Sequence, residues 1–389
     1  MPVTLGLELA LDATPDPIRN SRGFGLLSNQ ASVDRTFRHA ADLLHGRYPN
    51  RLQKLFSPQH GLWSTQQDNM IETGHGTHPR LHLPIHSLYS ETRRPSQQML
   101  DGLDLLVIDL QDVGTRVYTW IWTIVHCLEA CVQKGIPVLV LDRPNPLGGE
   151  LVEGPALDLR YRSFVGLASI PMRHGLTLGE LTRCVNDQLG IGAEVHVQAM
   201  HGWSRSMLWK DTGRVFVPPS PNLPRLEGVQ VYPGQVLLEG TNLSEGRGTT
   251  TPFEQWGAPF VDPYQLLAIL APRDLEGVTL RPVEFEPTFH KWRGETCRGF
   301  WLHVTDAHTF RPYRTTLALL RAVQELWPTE SKWRQPPYEY ENELTPIDIL
   351  CGTGDVRQWV EESGPWTRLD ALAAAPTDWW SSMRRWLLY

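Results

Sequence analysis

Five times in the first 150 residues a short apolar run closes on a knot of polar side chains, and that pattern fixes the fold class. GFGLLSNQ ends in Ser28, Asn29 and Gln30, and LQKLFSPQHG in Ser57, Gln59 and His60. LPIHSLYS ends in Ser87 and Tyr89, DLLVIDLQDVGTR in Asp109, Gln111, Asp112 and Arg116, and PVLVLDRPNP in Asp142, Arg143 and Asn145. The runs are rich in Leu, Ile and Val and show no polar alternation, which is how a strand buried on both faces reads. In an open parallel sheet such strands point the same way, so their carboxyl ends share one edge, where ligands bind. The five knots therefore predict a single polar pocket.

Helical patterns lie between the runs: SVDRTFRHAADLLHGRY, RRPSQQMLDGL, TRVYTWIWTIVHCLEACVQKG and TLGELTRCVNDQLG. The third predicts a helix from Asp112 to Gly135, stopped by glycine ahead of a proline-led strand. Thr177 with Glu180 opens the fourth as a capping box, and AEVHVQAM reads as a late strand. Strand and helix alternate, so the expected architecture is α/β with a doubly wound parallel sheet. From about Val217 the texture changes to loops rich in Pro and Gly. Strand-like pieces (GVTLRPVEFEP, RGFWLHV), a helix (TTLALLRAVQELW) and a tryptophan-rich tail follow. Residues 1–229 are expected to form the doubly wound domain and 230–389 a smaller α+β domain, with substrate in the cleft between them.

A chain of 389 residues exceeds what one core normally serves, in keeping with two domains. A hydrophobic content of 41% and a charged content of 20% describe an ordinary globular protein. No apolar stretch is long enough to span a membrane. The opening MPVTLGLELALDATPDP lacks a basic leader and a small-residue cleavage site, so no secretory signal is expected. A net charge of −7 argues against a nucleic-acid surface. Five scattered cysteines, of which Cys127 and Cys131 stand one helical turn apart, are expected to be reduced, pointing to the cytoplasm. Fifteen tryptophans, several beside polar residues (Trp63, Trp120, Trp122, Trp203, Trp256, Trp301), suit sugar rings or simply fill cores.

Several motifs fail on inspection. No G-x-G-x-x-G follows the first strand, and GTNLSEGRGTT misses the phosphate-loop spacing, with Arg247 where Lys should stand. His75, His78, His82 and His86 have zinc-like spacing, yet Gly76, Pro79 and Pro84 break any helix that would hold it, so no metal is expected. No G-x-S-x-G elbow exists. What remains is carboxylates in loops: Asp109 and Asp112 around Gln111, Glu72 in the long loop after the second strand, and Glu239 and Glu245 around Asn242. Cleaving a glycosidic bond needs a protonated acid on the leaving oxygen and a second group at the anomeric carbon. Asn29, Gln111, Asn145, Asn222 and Asn242 have the chemistry to read sugar hydroxyls. Structural roles compete with each of these: Asp at a strand end often caps the next helix, and Arg143 has Asp142 beside it.

The chain resembles the YbbC/NamZ family over nearly its whole length. The likeness runs through LFSPQHG (55–61), SLYS (87–90), DLLVIDLQDVGTRVYT (104–119), LDRPNPLGG (141–149) and SFVGLASIPMRHGLTLGEL (163–181). PSPNLP (219–224), VYPG (231–234), EGTNLSEGRGTTTPFE (239–254) and PPYEY (336–340) complete it. The resemblance implies a Rossmann-like first domain, a smaller second domain closing the cleft, and exo-β-N-acetylmuramidase activity. That is removal of a terminal N-acetylmuramic acid from the non-reducing end of peptidoglycan-derived saccharides in cytoplasmic cell-wall recycling. His60, Tyr118 and His174 stand within its strings and join the candidate site, as do Asp142 and Glu245.

One departure matters. The family pattern implies a catalytic Glu before the His of the second-strand motif, and here that residue is Gln59, whose amide has no acidic proton to give. Glu72 in the same loop is the first nominee to replace it, Glu239 or Glu245 the second, and binding without cleavage the third reading. A 2-acetamido sugar supplies its own carbonyl oxygen as nucleophile, so one acid suffices, with Asp109 or Glu239 orienting the acetamido group. Arg116, Arg143 and Arg247 are candidates for the lactyl carboxylate, since a guanidinium fork matches two oxygens. No metal or organic cofactor is required. The rivals are a saccharide-binding protein that has lost catalysis and a glycosidase for another 2-acetamido sugar.

Overall fold

The computed structural model describes residues 2–67 and 71–389. Its first part is built on a sheet of seven strands: β1 (Phe24–Ser28), β2 (Leu52–Ser57), β3 (Gly76–Thr77), β4 (Pro84–Ser87), β5 (Leu105–Asp109), β6 (Val138–Leu141) and β7 (Val195–Gln198). The order is β3-β4-β2-β1-β5-β6-β7, parallel throughout except for β3, which runs against β4. β1, β5 and β6 are buried along their whole length, as runs of Leu, Ile and Val without polar alternation require. All five predicted strands and the late strand are present. The chain winds outward from β1 to β4 and then returns to β5 on the other side of β1. The switch point thus lies between the two central strands.

Helices α1 (Gly6–Asp12), α2 (Asp16–Asn20), α3 (Ala40–Arg47), α4 (Trp120–Lys134) and α5 (Leu178–Gln188) belong to this part. α5 opens on the expected capping box, with the Thr177 hydroxyl accepting from Glu180 N. α4 ends as predicted, on Gly135 in the left-handed region. Its start differs: Asp112 Oδ2 accepts from Gly114 N at 2.7 Å and Gly114 takes a φ of 74°, so this Asx turn delays the helix to Trp120. The same competition shortens α3, because Asp34 gathers the backbone N–H groups of Thr36 and Arg38 before His39 caps the helix. RRPSQQMLDGL is a correction. It forms successive i→i+3 turns between Ser96 and Leu103 and no helix, pinned by Pro95 in front and by Gly102 at a φ of 81°.

The second part packs a three-stranded antiparallel sheet, order β8-β10-β9, against helices. Its strands are β8 (Gln255–Ala258), β9 (Val278–Phe285) and β10 (Cys297–Val304). Helices α6 (Leu226–Gln235), α7 (Pro263–Ile269), α8 (Pro312–Leu326) and α9 (Pro346–Cys351) accompany it. The expectation of an α/β fold with a second, smaller α+β unit therefore holds. Arg116 ties the two parts together. Fully buried, it donates through Nη1 to the carbonyls of Pro155 and Ile170 and through Nη2 to that of Leu350 on α9. No carboxylate among the described residues pairs with it, and burial lowers its pKa to about 10. All five cysteines are buried and free, with Cys127 and Cys131 in the core face of α4. No helix among the described residues is long and apolar enough to cross a membrane.

Replacing Arg116 with Ala takes the donor from the buried Leu350 carbonyl and the half-buried Pro155 carbonyl, while Ile170 O keeps Leu157 N at 3.1 Å. At about 1–3 kcal/mol for each orphaned group, the loss is expected to reach roughly 2–5 kcal/mol. Thermal denaturation of the variant is expected to show a fall in Tm of several degrees; an unchanged Tm would contradict this role.

Candidate active site

A partly open cavity lies at the seam between the two parts. The first part contributes Gln59 and His60 from the turn after β2, Val117 to Trp120 from the segment leading into α4, and Ser220 to Leu223 except Pro221. The second contributes Tyr232, Glu239, Arg247, Phe253, Tyr338 and Glu339. One wall thus comes from the carboxyl edge of the parallel sheet and the other from the smaller unit.

The second wall is organised by charge. Glu239 sits in a 3₁₀ turn (Val236–Gly240) that continues α6. Its Oε1 accepts from Arg247 Nη2 at 2.8 Å and its Oε2 from the Tyr338 hydroxyl at 2.8 Å. Arg247 Nε lies 3.2 Å from Glu245, whose other oxygen takes Lys291 Nζ at 2.8 Å and which His290 also approaches. Two carboxylates and two cations are thereby interleaved in a buried row. Burial alone would raise the Glu245 pKa, but Lys291, His290 and Arg247 outweigh it and hold the carboxyl well below its ordinary range. Arg247 is aimed by its neighbours: Gly246 and Gly248 both adopt left-handed φ values (78° and 82°), folding the loop tightly about it. Its Nη1 is buried and makes no hydrogen bond within the described residues, a donor held in reserve beside the cavity. Burial raises the phenols of Tyr118, Tyr232 and Tyr338 well above their usual range, with Glu239 adding to the effect for the latter two, so all three remain neutral donors.

Tyr338 and Glu339 come from a tight hairpin. Tyr338 and Glu341 exchange both backbone hydrogen bonds at 2.9 Å, and the two residues between them, Glu339 and Tyr340, have φ values of 44° and 68°. A two-residue turn with both central residues left-handed ordinarily takes Asn-Gly or Asp-Gly. A Glu-Tyr pair there costs on the order of 1 kcal/mol or more per residue, and such strain gathers at functional sites. The turn places Glu339 against the cavity, where its Oε2 accepts from the Tyr89 hydroxyl at 3.3 Å.

Of the sequence-predicted residues, Gln59, His60, Tyr118, Asn222, Glu239 and Arg247 meet at this cavity. Gln59 Oε1 accepts from Thr119 Oγ1 at 2.8 Å, which leaves the amide nitrogen as its donor end. His60 has a φ of 70° and its Nδ1 lies 2.7 Å from the Gln66 carbonyl. Asn222 donates to the Gln67 carbonyl, while its Oδ1 is buried without a hydrogen-bond partner among the described residues.

The other candidates are placed elsewhere, each for a visible reason. Glu72 lies outside the cavity lining, 54% exposed and 3.3 Å from Arg93. Asp109 is locked in a buried bidentate pair with Arg143 (2.5 and 2.7 Å), so Arg143 serves Asp109 and not its neighbour Asp142. Asp142 receives Gly179 N, Thr177 Oγ1 and Tyr389 Oη and anchors the start of α5. Asn29 bonds Pro219 O and Ala31 N, and Asn145 bonds Leu176 O and Leu147 N. His174 accepts from Leu176 N. Gln111 bridges Asp112 O and Pro144 O and, with Arg143, faces a separate hollow beside Phe37 and Trp209. Asn242 latches the 330–332 segment on the outer side. Glu245 stands behind Arg247, and Arg116 is the tie described above. Most of the polar-flanked tryptophans fill cores; of the six named, Trp120 alone lines the cavity. Sequence reasoning missed Thr119, Ser220, Tyr232, Tyr338 and Glu339. For the last two, the string PPYEY was the available signal.

The ion row has a measurable consequence. A carboxyl whose folded pKa is depressed contributes stability above its unfolded value, near 4.5 for Glu245, and loses it as pH falls toward the native value. Glu245→Gln is therefore expected to flatten the fall in Tm between pH 5 and about pH 3 relative to the unchanged protein. Parallel Tm–pH curves for the two would contradict this.

The comparisons with known proteins identify the family and the fold. Residues 24–227 match the N-terminal profile of a family described as exo-beta-N-acetylmuramidase NamZ, and residues 230–389 match its C-terminal profile. The peptidoglycan beta-N-acetylmuramidase NamZ of Bacillus subtilis (strain 168) is 40% identical over 359 residues, which is 92% of this chain and 84% of that protein. Two crystal structures of DUF1343 family proteins from Bacteroides fragilis NCTC 9343 share the fold. BF0371 has a TM-score of 0.86 at 28% identity and BF0379 one of 0.76 at 27%, each covering 100% of this chain and 99% of its own.

Proposed function

The chain belongs to the exo-beta-N-acetylmuramidase NamZ family, and from that premise we propose that it is a glycoside hydrolase releasing terminal N-acetylmuramic acid from the non-reducing end of peptidoglycan-derived saccharides. The observation that carries the reading is a cavity lined by two carboxylates, Glu239 and Glu339, although Gln59 replaces the expected acid. Glu239, gripped by a guanidinium and a phenol, suits a permanent negative charge. Glu339 is the other carboxylate of the cavity, and here it is assigned the part of the acid.

In this reading Glu339 protonates the leaving glycosidic oxygen while the substrate's acetamido carbonyl attacks the anomeric carbon. Glu239 accepts the acetamido N–H and stabilises the positive charge that develops on the ring it forms. Water, giving its proton back to Glu339, then opens that ring and frees the sugar. Gln59 offers its amide nitrogen to the sugar, and the reserved Arg247 Nη1 offers a hydrogen bond to the lactyl carboxylate. A reducing, cytoplasmic setting is supported by the free thiols.

The test is release of the chromophore from a chromogenic β-N-acetylmuramide, with the β-N-acetylglucosaminide alongside. The expected result is turnover of the muramide in preference. Glu339→Gln is expected to reduce kcat by about 10²–10⁴-fold, the usual worth of a general acid. Glu339→Asn, whose side chain tolerates a left-handed φ, is expected to lose the same activity without loss of Tm. Glu72→Gln is expected to keep kcat within about twofold, since that carboxylate stands outside the cavity. A muramide that protects the protein against heat without being turned over would favour a saccharide-binding protein instead.

A further inference from the structure

A second hollow adjoins the cavity, and nothing in the catalytic reading uses it. This open groove of about 500 Å³ is lined by Thr92, Arg93, Arg94, His126, Phe164 and Tyr340, among others. It shares a wall with the cavity in two places. Tyr340 follows Glu339 in the strained hairpin, and Phe164 precedes the cavity-lining Val165. The Tyr89 phenol, which donates to Glu339, also lies tilted against Phe164 and edge-on to Tyr340, at 5.9 and 6.2 Å between ring centres.

We infer that this groove is the subsite for the sugar on the reducing side of the cleaved bond, with Tyr340 as its stacking platform. The inference rests on the exo-glycosidase reading: a terminal sugar enclosed in the cavity must pass the remainder of its saccharide out through an adjoining opening. Tyr340 is 45% exposed, yet its ring is fixed. The Arg93 guanidinium lies 4.1 Å from its centre and 4.7 Å from that of Tyr89, and Phe164 meets it edge-on at 6.3 Å. An immobilised, half-open aromatic face suits the flat C–H face of a pyranose, because little side-chain freedom remains to be lost on binding. Its left-handed backbone points the same way, since glycine would fit that turn position at no steric cost and would offer no ring.

The charges in the groove favour a neutral occupant. Arg93 is paired with Glu72 at 3.3 Å, Arg94 with Glu129 at 3.6 Å and His126 with Glu129 at 3.4 Å. With Arg93, Arg94 and His126 each beside a carboxylate, and Glu91 a further acid in the lining, the groove offers aromatic faces and hydrogen-bonding edges and does not invite an acidic peptide. Exposed Glu72 thereby acquires a position: it holds Arg93, and Arg93 holds the platform ring.

The experiment compares two substrates that differ only in what leaves. One is β-N-acetylmuramyl fluoride, whose leaving group is a single atom; the other is the disaccharide in which N-acetylmuramic acid is β-linked to N-acetylglucosamine. In Tyr340→Ala, kcat/KM on the disaccharide is expected to fall about tenfold further than on the fluoride. Tyr340→Phe, which keeps the ring, is expected to restore the disaccharide. Equal losses on both substrates would show that Tyr340 acts through Glu339, and no selective loss would show that no sugar stacks there; either result overturns the subsite. If the unchanged protein cleaves neither substrate, the proposed activity itself fails. The groove is then judged by titrating N,N′-diacetylchitobiose against tryptophan fluorescence. Binding lost in Tyr340→Ala and kept in Tyr340→Phe upholds the subsite, and equal or absent binding overturns it.

Discussion

The site depends on one buried arginine. Arg247 stands between Glu239 and Glu245, and Lys291 closes the row behind them. An isolated carboxylate at the burial of Glu239 would be costly, and the guanidinium makes it tolerable while fixing its direction. Removing one member leaves the others uncompensated, so the row behaves as a unit. The glycines on either side of Arg247, the 3₁₀ turn that carries Glu239 and the Tyr338 phenol all serve to hold that arrangement against the sheet edge.

Opposite this row stands an amide where the family pattern leads one to expect an acid. Gln59 is bonded to Thr119 at the entrance to α4 and keeps the shape of the wall without its proton chemistry. The chain brings a carboxylate to the same cavity from elsewhere, on the Tyr338–Glu341 hairpin. That hairpin holds two left-handed residues of types that resist the conformation, and its two side chains face two adjoining hollows. Under the proposed function, the strain of these two residues is the cost of placing their side chains there.

The fold was legible because the strongest physical signal in the chain is local. Strands buried on both faces need continuous apolar runs, and the Thr177–Glu180 capping box and the Gly135 stop need only neighbours. Where polar side chains compete with the helix for backbone groups, as at Asp34 and Asp112, boundaries shifted. The site was legible in part. Gln59, Tyr118, Asn222, Glu239 and Arg247 were marked by polar chemistry in loops. Asp109, Asp142, Asn145 and Arg143 were marked by the same signal, yet they satisfy helix starts, turns and each other. A strand-end Asp that caps a helix and one that reads a sugar are alike in sequence; only the partner's direction separates them. Glu339 was hidden for a different reason. It reaches Tyr89 across 250 positions, and no periodicity in the chain records such a contact.

The most direct measurement is a crystal structure of the Glu339→Gln variant with a non-reducing-end N-acetylmuramic acid saccharide bound. The account predicts the muramic acid ring inside the seam cavity, its lactyl carboxylate on Arg247 Nη1 and its glycosidic oxygen within hydrogen-bonding reach of residue 339. A ring bound at the hollow beside Gln111 and Arg143, or a glycosidic oxygen turned toward Glu72 instead, would contradict it.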